Sequence, residues 1–541
     1  MENKETRMSA PKPFKLFPQR PDRTRYRRVS DRFVRRVKCS GGEALAVDHA
    51  GLVLLAAEAF SDLAFYLRPA FLKRIRAIVD DPRASDNERF VAGAILRNAA
   101  IAGEGVLPLC QDTGSAQVVG FKGHRVLTDG RDEEALTSGL RDVYRKRNLR
   151  YSLVAPLSVF EEANTGTNLP AQVDLLASEG EEYHFYFMAK GGGSSNKTAL
   201  FQESKALLEE KKLEAFLAEH VRALGVAACP PYRLAVVLGG LSPEMTMKTV
   251  KLASAGFLDS LPTRGKKSGI AFRDAEWEGR LAKIAEETGL GAQFGGRFLV
   301  HEARFIRLPR HAGSCPVGIG VSCNADRNCR GKITAEGLFI EQLEKDPGRF
   351  LEGIPSGSTP GATAVDLDRP IAEILRDLSA LPVGTMVRLS GPLVVARDIA
   401  HARIWKMFKE TGRLPDYFKN HPVYYAGPAK TPRGMASGSF GPTTAQRMDG
   451  YLPALMAAGA SKITLAKGNR SPKVVEACRE HGGFFLGTIG GAAALIAKEH
   501  IIRSEVIDFA DLGMEAVRRI VVKDLPAFLI YDDKGGDLYK K

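Results

Sequence analysis

Apolar and polar positions along this chain follow two periods, one helical and one of strands. Over 43–100 the period is helical. EALAVDHAGLVLLAAEAFSDLAFYL repeats its apolar residues every three to four positions. Ser85-Asp86-Asn87-Glu88 before RFVAGAILRNAAIA has the Ser-to-Glu spacing of a capping box. From about 113 to 325 the periods mix. AQVDLLAS, EYHFYFMA, YRLAVVLGG and FLVHEARFIRLP predict strands; DEEALTSGLRDVYRKR and DAEWEGRLAKIAEETG predict helices. GLFIEQLEKD predicts a further helix, and the Gly/Pro/Ser/Thr-rich stretch after it predicts a linker over 351–364. Beyond the linker, MVRLSGPLVVA, DIAHARIWKMFKETG, VYYAG, a long glycine loop, TTAQRMDGYLPALMAAG, KITLAK and EVIDFA alternate strand and helix. The fold class expected is α/β: an irregular basic arm over 1–42, a mixed α+β domain over 43–350, and a smaller β/α domain over 365–541.

Composition narrows the picture. No apolar run approaches the roughly 20 residues of a membrane span. The start, MENKETRMSAPKPFK, lacks the apolar core of a secretory signal, and Glu2 and Glu5 argue against a transit peptide. The expected location is the cytoplasm, or the mitochondrial matrix in a eukaryote. Seven widely spaced cysteines do not make a disulfide framework and suit free or metal-bound thiols in a reducing compartment. The net charge is +14, and residues 1–40 carry thirteen Lys/Arg against four Asp/Glu. That arm reads as a solvated segment packing on a partner surface. Nucleic-acid binding is not expected, since no reader motif accompanies the charge.

Candidate chemistry starts with three cysteines in turn-like sequence: Cys110 in LPLCQDTGS, Cys229 in AACPPY and Cys323 in GIGVSCNADR. Three thiolates from distant loops suit an iron–sulfur cluster with one iron left open. Spacing is silent, because no CxxC pair occurs; Cys315 in HAGSCPVG is a rival, and any one of them also reads as a buried structural thiol. The loop Lys190-Gly191-Gly192-Gly193-Ser194-Ser195-Asn196-Lys197 matches no nucleotide fingerprint, yet it can present amides to a carboxylate. Arg397-Asp398, Thr443-Thr444 with Arg447, and Lys467-Gly468-Asn469-Arg470 all follow predicted strands, the usual ligand position in such sheets. Arginine forks grip carboxylates, so these clusters fit a dicarboxylate. His311 lies twelve residues before Cys323 and is a candidate neighbour of the metal.

Long ordered segments then carry a resemblance: LPLCQDTGSA, NLRYSLVAPL, NTGTNLPAQVDL, FMAKGGGSSNKT, AACPPYRLAVV, LPRHAGSCPVGIGVSCNADRN, VVARDIAHA, YYAGPAKTPRGMASGSFGPTTAQRMDGY, LAKGNRS and GTIGG. From about 40 to 530 the chain resembles class I fumarase, the iron–sulfur fumarate hydratase. The resemblance implies a [4Fe–4S] cluster on Cys110, Cys229 and Cys323, a homodimer, and a swivelling C-terminal domain. It implies substrate contacts from Gln111, Asp112, Arg150, Gly193, Arg397, Thr443, Arg447 and Lys467, with His311 close by. The reaction expected is reversible hydration of fumarate to (S)-malate. Thr443 is the first candidate for the C3 base, with Asp112, paired with His311, on the water side, or the two roles exchanged. A sister hydro-lyase acting on tartrate or mesaconate is the alternative, and a cluster-sensing RNA-binding regulator the alternative of another class.

Overall fold

Runs with a two-residue period become three large sheets in the computed structural model, which describes residues 15–18, 20–40, 42–355 and 361–540. The first sheet orders its strands Tyr26–Ser30, Gly337–Glu341, Asn328–Thr334, Tyr183–Lys190, Ser115–Gly123 and Gln172–Ser178. Helix His49–Phe65, with helix Asp132–Lys146 beside it, covers one face with Leu52, Leu55, Phe60 and Leu63. The second sheet orders Ala199–Glu203, Cys315–Ser322, Tyr232–Gly240, Val300–Arg310 and Phe272–Arg273. Tyr232–Gly240 is buried along its whole length, as expected of a central strand covered on both faces.

The third sheet holds Thr363–Asp366, Met386–Val395, Val423–Tyr424, Ile463–Ala466, Phe484–Thr488, Val517–Tyr531 and Ile501–Asp508. Val517–Tyr531 also pairs with Met386–Val395, so five of these strands close into a ring with no free edge between them. Helices Pro69–Asp80 and Asp86–Ala102 belong to the same apolar core as this ring. The second of them starts as its sequence predicts: Ser85 and Glu88 form both halves of a capping box.

Five readings of the pattern change. The helical pattern read from residue 43 begins only at His49, since Gly42–Val47 is a strand. Residues 26–39 are not irregular: Tyr26–Ser30 pairs with Gly337–Glu341, and Val34–Cys39 pairs with Gly42–Val47. Much of the arm's charge is answered within the chain, by pairs such as Arg27 with Glu58 and Asp62, Arg35 with Asp48, and Arg36 with Glu43; its residues 1–14, 19 and 41 lie outside the described residues, as do 356–360 of the linker. GLFIEQLEKD opens as a strand, because Leu338 and Ile340 both face the core on a two-residue period. The segment from Thr443 is one 3-10 turn, Ala445–Met448, and a short helix, Leu452–Ala457, separated by Gly450. Finally, the stretch His49–Asp80 is apolar and long enough to cross a membrane by composition, but 61% of that window is buried inside the protein and the helix breaks at Tyr66–Arg68.

Candidate active site

Strand pairing brings two of the candidate cysteines together. Tyr232–Gly240 and Cys315–Ser322 run antiparallel with Arg233 opposite Ser322. The residue shortly before the first strand and the residue just after the second therefore meet, and the Asn324 amide donates to the Cys229 carbonyl at 3.1 Å. Cys229 holds φ at +62°, a left-handed backbone that a non-glycine residue keeps only where its surroundings enforce it. Cys110 arrives from the other sheet. Ser115 pairs with Lys190, and Arg327 Nη1 donates to the Asp112 carbonyl at 2.7 Å, drawing the 109–114 loop onto the loop after Cys323. Asn98 fastens the same loop from behind, donating to Leu109 O at 2.9 Å.

The C-terminal ring closes the site. Gln111 Nε2 donates to Pro442 O at 3.0 Å, Ser439 Oγ to Pro108 O at 2.6 Å, and Lys467 Nζ to Cys229 Sγ at 2.8 Å. Gly490 lies against the sulfur: a Cβ there would overlap Cys229 Sγ and come within 3.1 Å of Lys467 Cδ. Gln293 and Asn324 both donate to the carbonyls of Pro230 and Gly490, and the Gly490 amide donates back to Gln293 Oε1 at 2.7 Å.

The three sulfurs and Lys467 lie within electrostatic reach of one another. Burial pushes the Cys110 thiol up to about 12 despite Arg327, and pushes the Cys229 thiol up despite Lys467. Burial works against the Lys467 ammonium too, but the sulfurs of Cys229 and Cys110 keep it above its ordinary range. Three deprotonated sulfurs in so dry a site call for further positive charge, which a metal centre brings. The donor set therefore fits a thiolate-ligated iron–sulfur group, and Cys110, Cys229 and Cys323 are the residues that could hold it. Among the described residues, no three His, Cys, Asp or Glu stand at the spacing of ligands to a single ion. The rival Cys315 is buried at the far end of its strand from Cys323.

Asp112 sits beside the sulfurs. Burial opposes its charge, but Arg150, Arg327, the Gly192 amide and Lys467 hold its carboxyl below the usual range. Its Oδ2 accepts from Gly192 N at 2.8 Å and its Oδ1 from Gly114 N at 3.1 Å. The glycine loop thus presents an amide to a carboxylate, and that carboxylate is the protein's own. Gly193 packs next to the cysteine loop, where a Cβ would meet Ala228 Cα at 3.3 Å.

Cations gather on the other side. Thr113 Oγ1 ties both the amide and the carbonyl of Arg150, at 3.1 and 2.8 Å. Arg397, 4% exposed, follows strand Met386–Val395. Burial and the neighbouring Arg150 lower its affinity for a proton, against the pull of Glu515. Arg447 donates to Thr443 Oγ1 and pairs with Asp398 at 3.2 Å. Thr443 does not cap a helix as expected; its amide donates to Tyr425 O and its carbonyl accepts from Lys467 N, which fixes it beside the lysine.

All the predicted residues converge except His311. It is exposed in the turn between strands Val300–Arg310 and Cys315–Ser322, at the opposite end of the latter from Cys323. Twelve residues of mostly extended chain separate rather than unite two side chains, since each adds about 3.3 Å. Three contributors escaped the sequence reading: Arg327, Gln293 and Glu515. Arg327 follows Cys323 by four residues and could have been sought there; Glu515 belongs to no motif.

The chain is similar to known proteins over nearly its whole length. Residues 53–332 match the family described as fumarate hydratase (fumerase), and residues 337–541 match the fumarase C-terminus. The chain is 54% identical over 513 residues to fumarate hydratase 2 of Leishmania major, covering 95% of this chain and 90% of that one. It is 52% identical over 526 residues to the anaerobic class I fumarate hydratase of Escherichia coli K12, covering 97% and 96%. The aerobic class I enzyme of the same strain is 52% identical over 542 residues, covering 100% and 98%. With matches running nearly end to end, the chain belongs to the class I fumarate hydratase family.

Proposed function

We propose that this chain interconverts fumarate and (S)-malate, with a [4Fe–4S] cluster on Cys110, Cys229 and Cys323 and two copies of the chain forming a dimer. The observation that carries the reading is the junction at Lys467. Its ammonium touches a candidate cluster sulfur, and its backbone amide donates to the carbonyl of Thr443, whose hydroxyl meets Arg447, so metal ligands and carboxylate ligands form one site. Bound there, the cluster supplies Lewis acidity toward the hydroxyl that leaves or the water that adds.

The chain's own groups do the rest. Arg150 and Arg397 grip one carboxylate as planar forks, and Lys467 with Gln111 hold the end nearer the sulfurs. Two-point anchoring fixes the face of the C2–C3 bond offered to water, which is where orientation gains arise. Removing the C3 proton builds charge on the adjacent carboxylate, and the arginines stabilise it. Thr443 Oγ, ionised as the alkoxide, takes that proton and becomes the neutral hydroxyl. A threonine hydroxyl becomes basic only beside strong positive charge, which the Arg447 guanidinium on Thr443 Oγ1 provides. Asp112, held ionised by Arg150, Arg327 and Lys467, accepts the proton of the adding water. Free cysteines throughout the described residues suit a reducing compartment, the cytoplasm or a mitochondrial matrix.

Anaerobic reconstitution tests the reading. The expected result is about four irons per chain, a cluster spectrum that changes on adding malate, and faster turnover of fumarate than of mesaconate or tartrate. Protein that binds no iron, or whose spectrum ignores malate, would sink it.

A further inference from the structure

Two cations of the site share one protein carboxylate. Arg397 Nη2 lies 2.6 Å and Arg150 Nη2 3.2 Å from the same Glu515 Oε1. Glu515 Oε2 is buried with no hydrogen-bond partner, and so are the Nε atoms of both arginines. Neither guanidinium makes the bidentate fork that is the stronger arrangement for a carboxylate.

The segment that delivers Glu515 is irregular. Ala510–Glu515 is a 3-10 stretch interrupted at Gly513, and it is entered through Phe509 in a left-handed conformation. It connects strands Ile501–Asp508 and Val517–Tyr531. On its outer side Asp511 pairs with Arg403 at 2.8 Å, and Arg403 lies over the Phe509 ring at 4.9 Å. The Arg403–Asp511 pair is exposed but bidentate, with both guanidinium Nη atoms at 2.8 Å from the two carboxylate oxygens, so it fastens the strap from outside. Inside, Arg397 Nη2 also donates to Met514 O at 3.2 Å and Leu512 packs on the core, so the strap is pinned on both sides while its carboxylate, held through one oxygen, is suited to exchange.

Taking Arg150 and Arg397 as the carboxylate grip of the proposed reaction, we propose that Glu515 is an internal stand-in for a substrate carboxylate, which keeps the arginine pair in the empty enzyme and yields it to the incoming diacid. A consequence is selectivity. Only a ligand that brings its own carboxylate to both arginines displaces Glu515, so the displacement cost falls on diacids and not on ligands esterified at that end.

The test compares wild-type holoenzyme with Glu515→Gln and Asp511→Asn, reading KM for fumarate and for monomethyl fumarate, and Ki for the non-reacting diacid succinate. Glu515→Gln removes the competing charge at constant size. It is expected to lower fumarate KM and succinate Ki on the order of tenfold, within the range for two ligands coupled through one site, and to widen the preference for fumarate over its monoester. Asp511→Asn loosens the strap from outside and is expected to move both constants the same way by a smaller factor with kcat kept; it decides the matter if Glu515→Gln fails to fold. Constants that stay the same or rise in both variants overturn the proposal and leave Glu515 a permanent counter-ion of the buried arginines. Wild-type holoenzyme that does not hydrate fumarate refutes the function instead, and succinate calorimetry on the same proteins then still reports on Glu515.

Discussion

Replacing Gly490 by alanine puts the contact between the two halves of the site to a direct test. The new methyl would overlap Cys229 Sγ and stand 3.1 Å from Lys467 Cδ and 3.2 Å from Cys229 Cβ. Comfortable carbon contacts lie at about 3.5–4.0 Å, so something must retreat by several tenths of an ångström to about 1 Å. Gly490 cannot retreat, because Gln293 and Asn324 hold its carbonyl and Gln293 also holds its amide. Cys229 is fixed through its own carbonyl by Asn324. The displacement therefore falls on the sulfur and on the Lys467 side chain. Overpacking of this kind costs about 1–3 kcal/mol of stability, and a shift of about 1 Å in a reacting group costs on the order of 100-fold in rate. The expected outcome is a folded protein with a melting temperature a few degrees lower, reduced iron content after anaerobic reconstitution, and kcat down by roughly two orders of magnitude. Gly450→Ala is the control: nothing lies within 4 Å of a Cβ there, and all three readouts should match wild type. Full iron and full turnover in Gly490→Ala would show that Cys229 is not where the site needs its sulfur.

Other outcomes follow from the same geometry. Thr443→Ala should reduce turnover by about 100-fold or more while leaving the cluster's visible absorbance unchanged; unaltered turnover removes Thr443 from the proton transfer. Gln293→Ala strips partners from both Pro230 and Gly490, so unfolding free energy should fall by about 1–3 kcal/mol and iron loss on air exposure should quicken; a stability and a loss rate equal to wild type count against it. His401, 1% exposed and ringed by Phe418 and Tyr425, has no partner on either ring nitrogen, and burial holds its pKa down to about 4. The unfolded chain takes up this proton first, so stability is complete above about pH 6.5 and falls as pH drops toward 4, by about 2–3 kcal/mol. Melts of His401→Phe at pH 7 and pH 5 should lack that share of the slope; an unchanged slope refutes it.

How much of this could be read from the sequence depended on whether the signal was local. Tyr232–Gly240 and the Ser85 capping box were legible because burial on both faces and an N-terminal cap leave marks in adjacent residues. The three cysteines stood out through the turn residues beside them, and the fold brings their loops together. The helix expected in GLFIEQLEKD failed where period-2 and helical patterns coincide over five residues, and only pairing with Tyr26–Ser30 and Asn328–Thr334 decides for strand. His311 lies away from Cys323 within its own chain, because closeness in sequence along a strand is distance in space. Glu515 was invisible for the opposite reason: its meaning arises from Arg150, 365 positions away, and from a chain reversal that no nearby residue announces.

The suspension of the Cys110 loop from Pro442 and Ser439 has a bearing on how the protein matures. A ribosome releases the chain from its amino end. All three thiols therefore leave the exit tunnel well before Ser439, Lys467 and Gly490 have been polymerised. Throughout that interval the sulfurs have no wall around them and no ammonium alongside. If the proposed cluster is held there, its enclosure is complete only once the polypeptide is, and the three nascent thiols are open to oxidation until then.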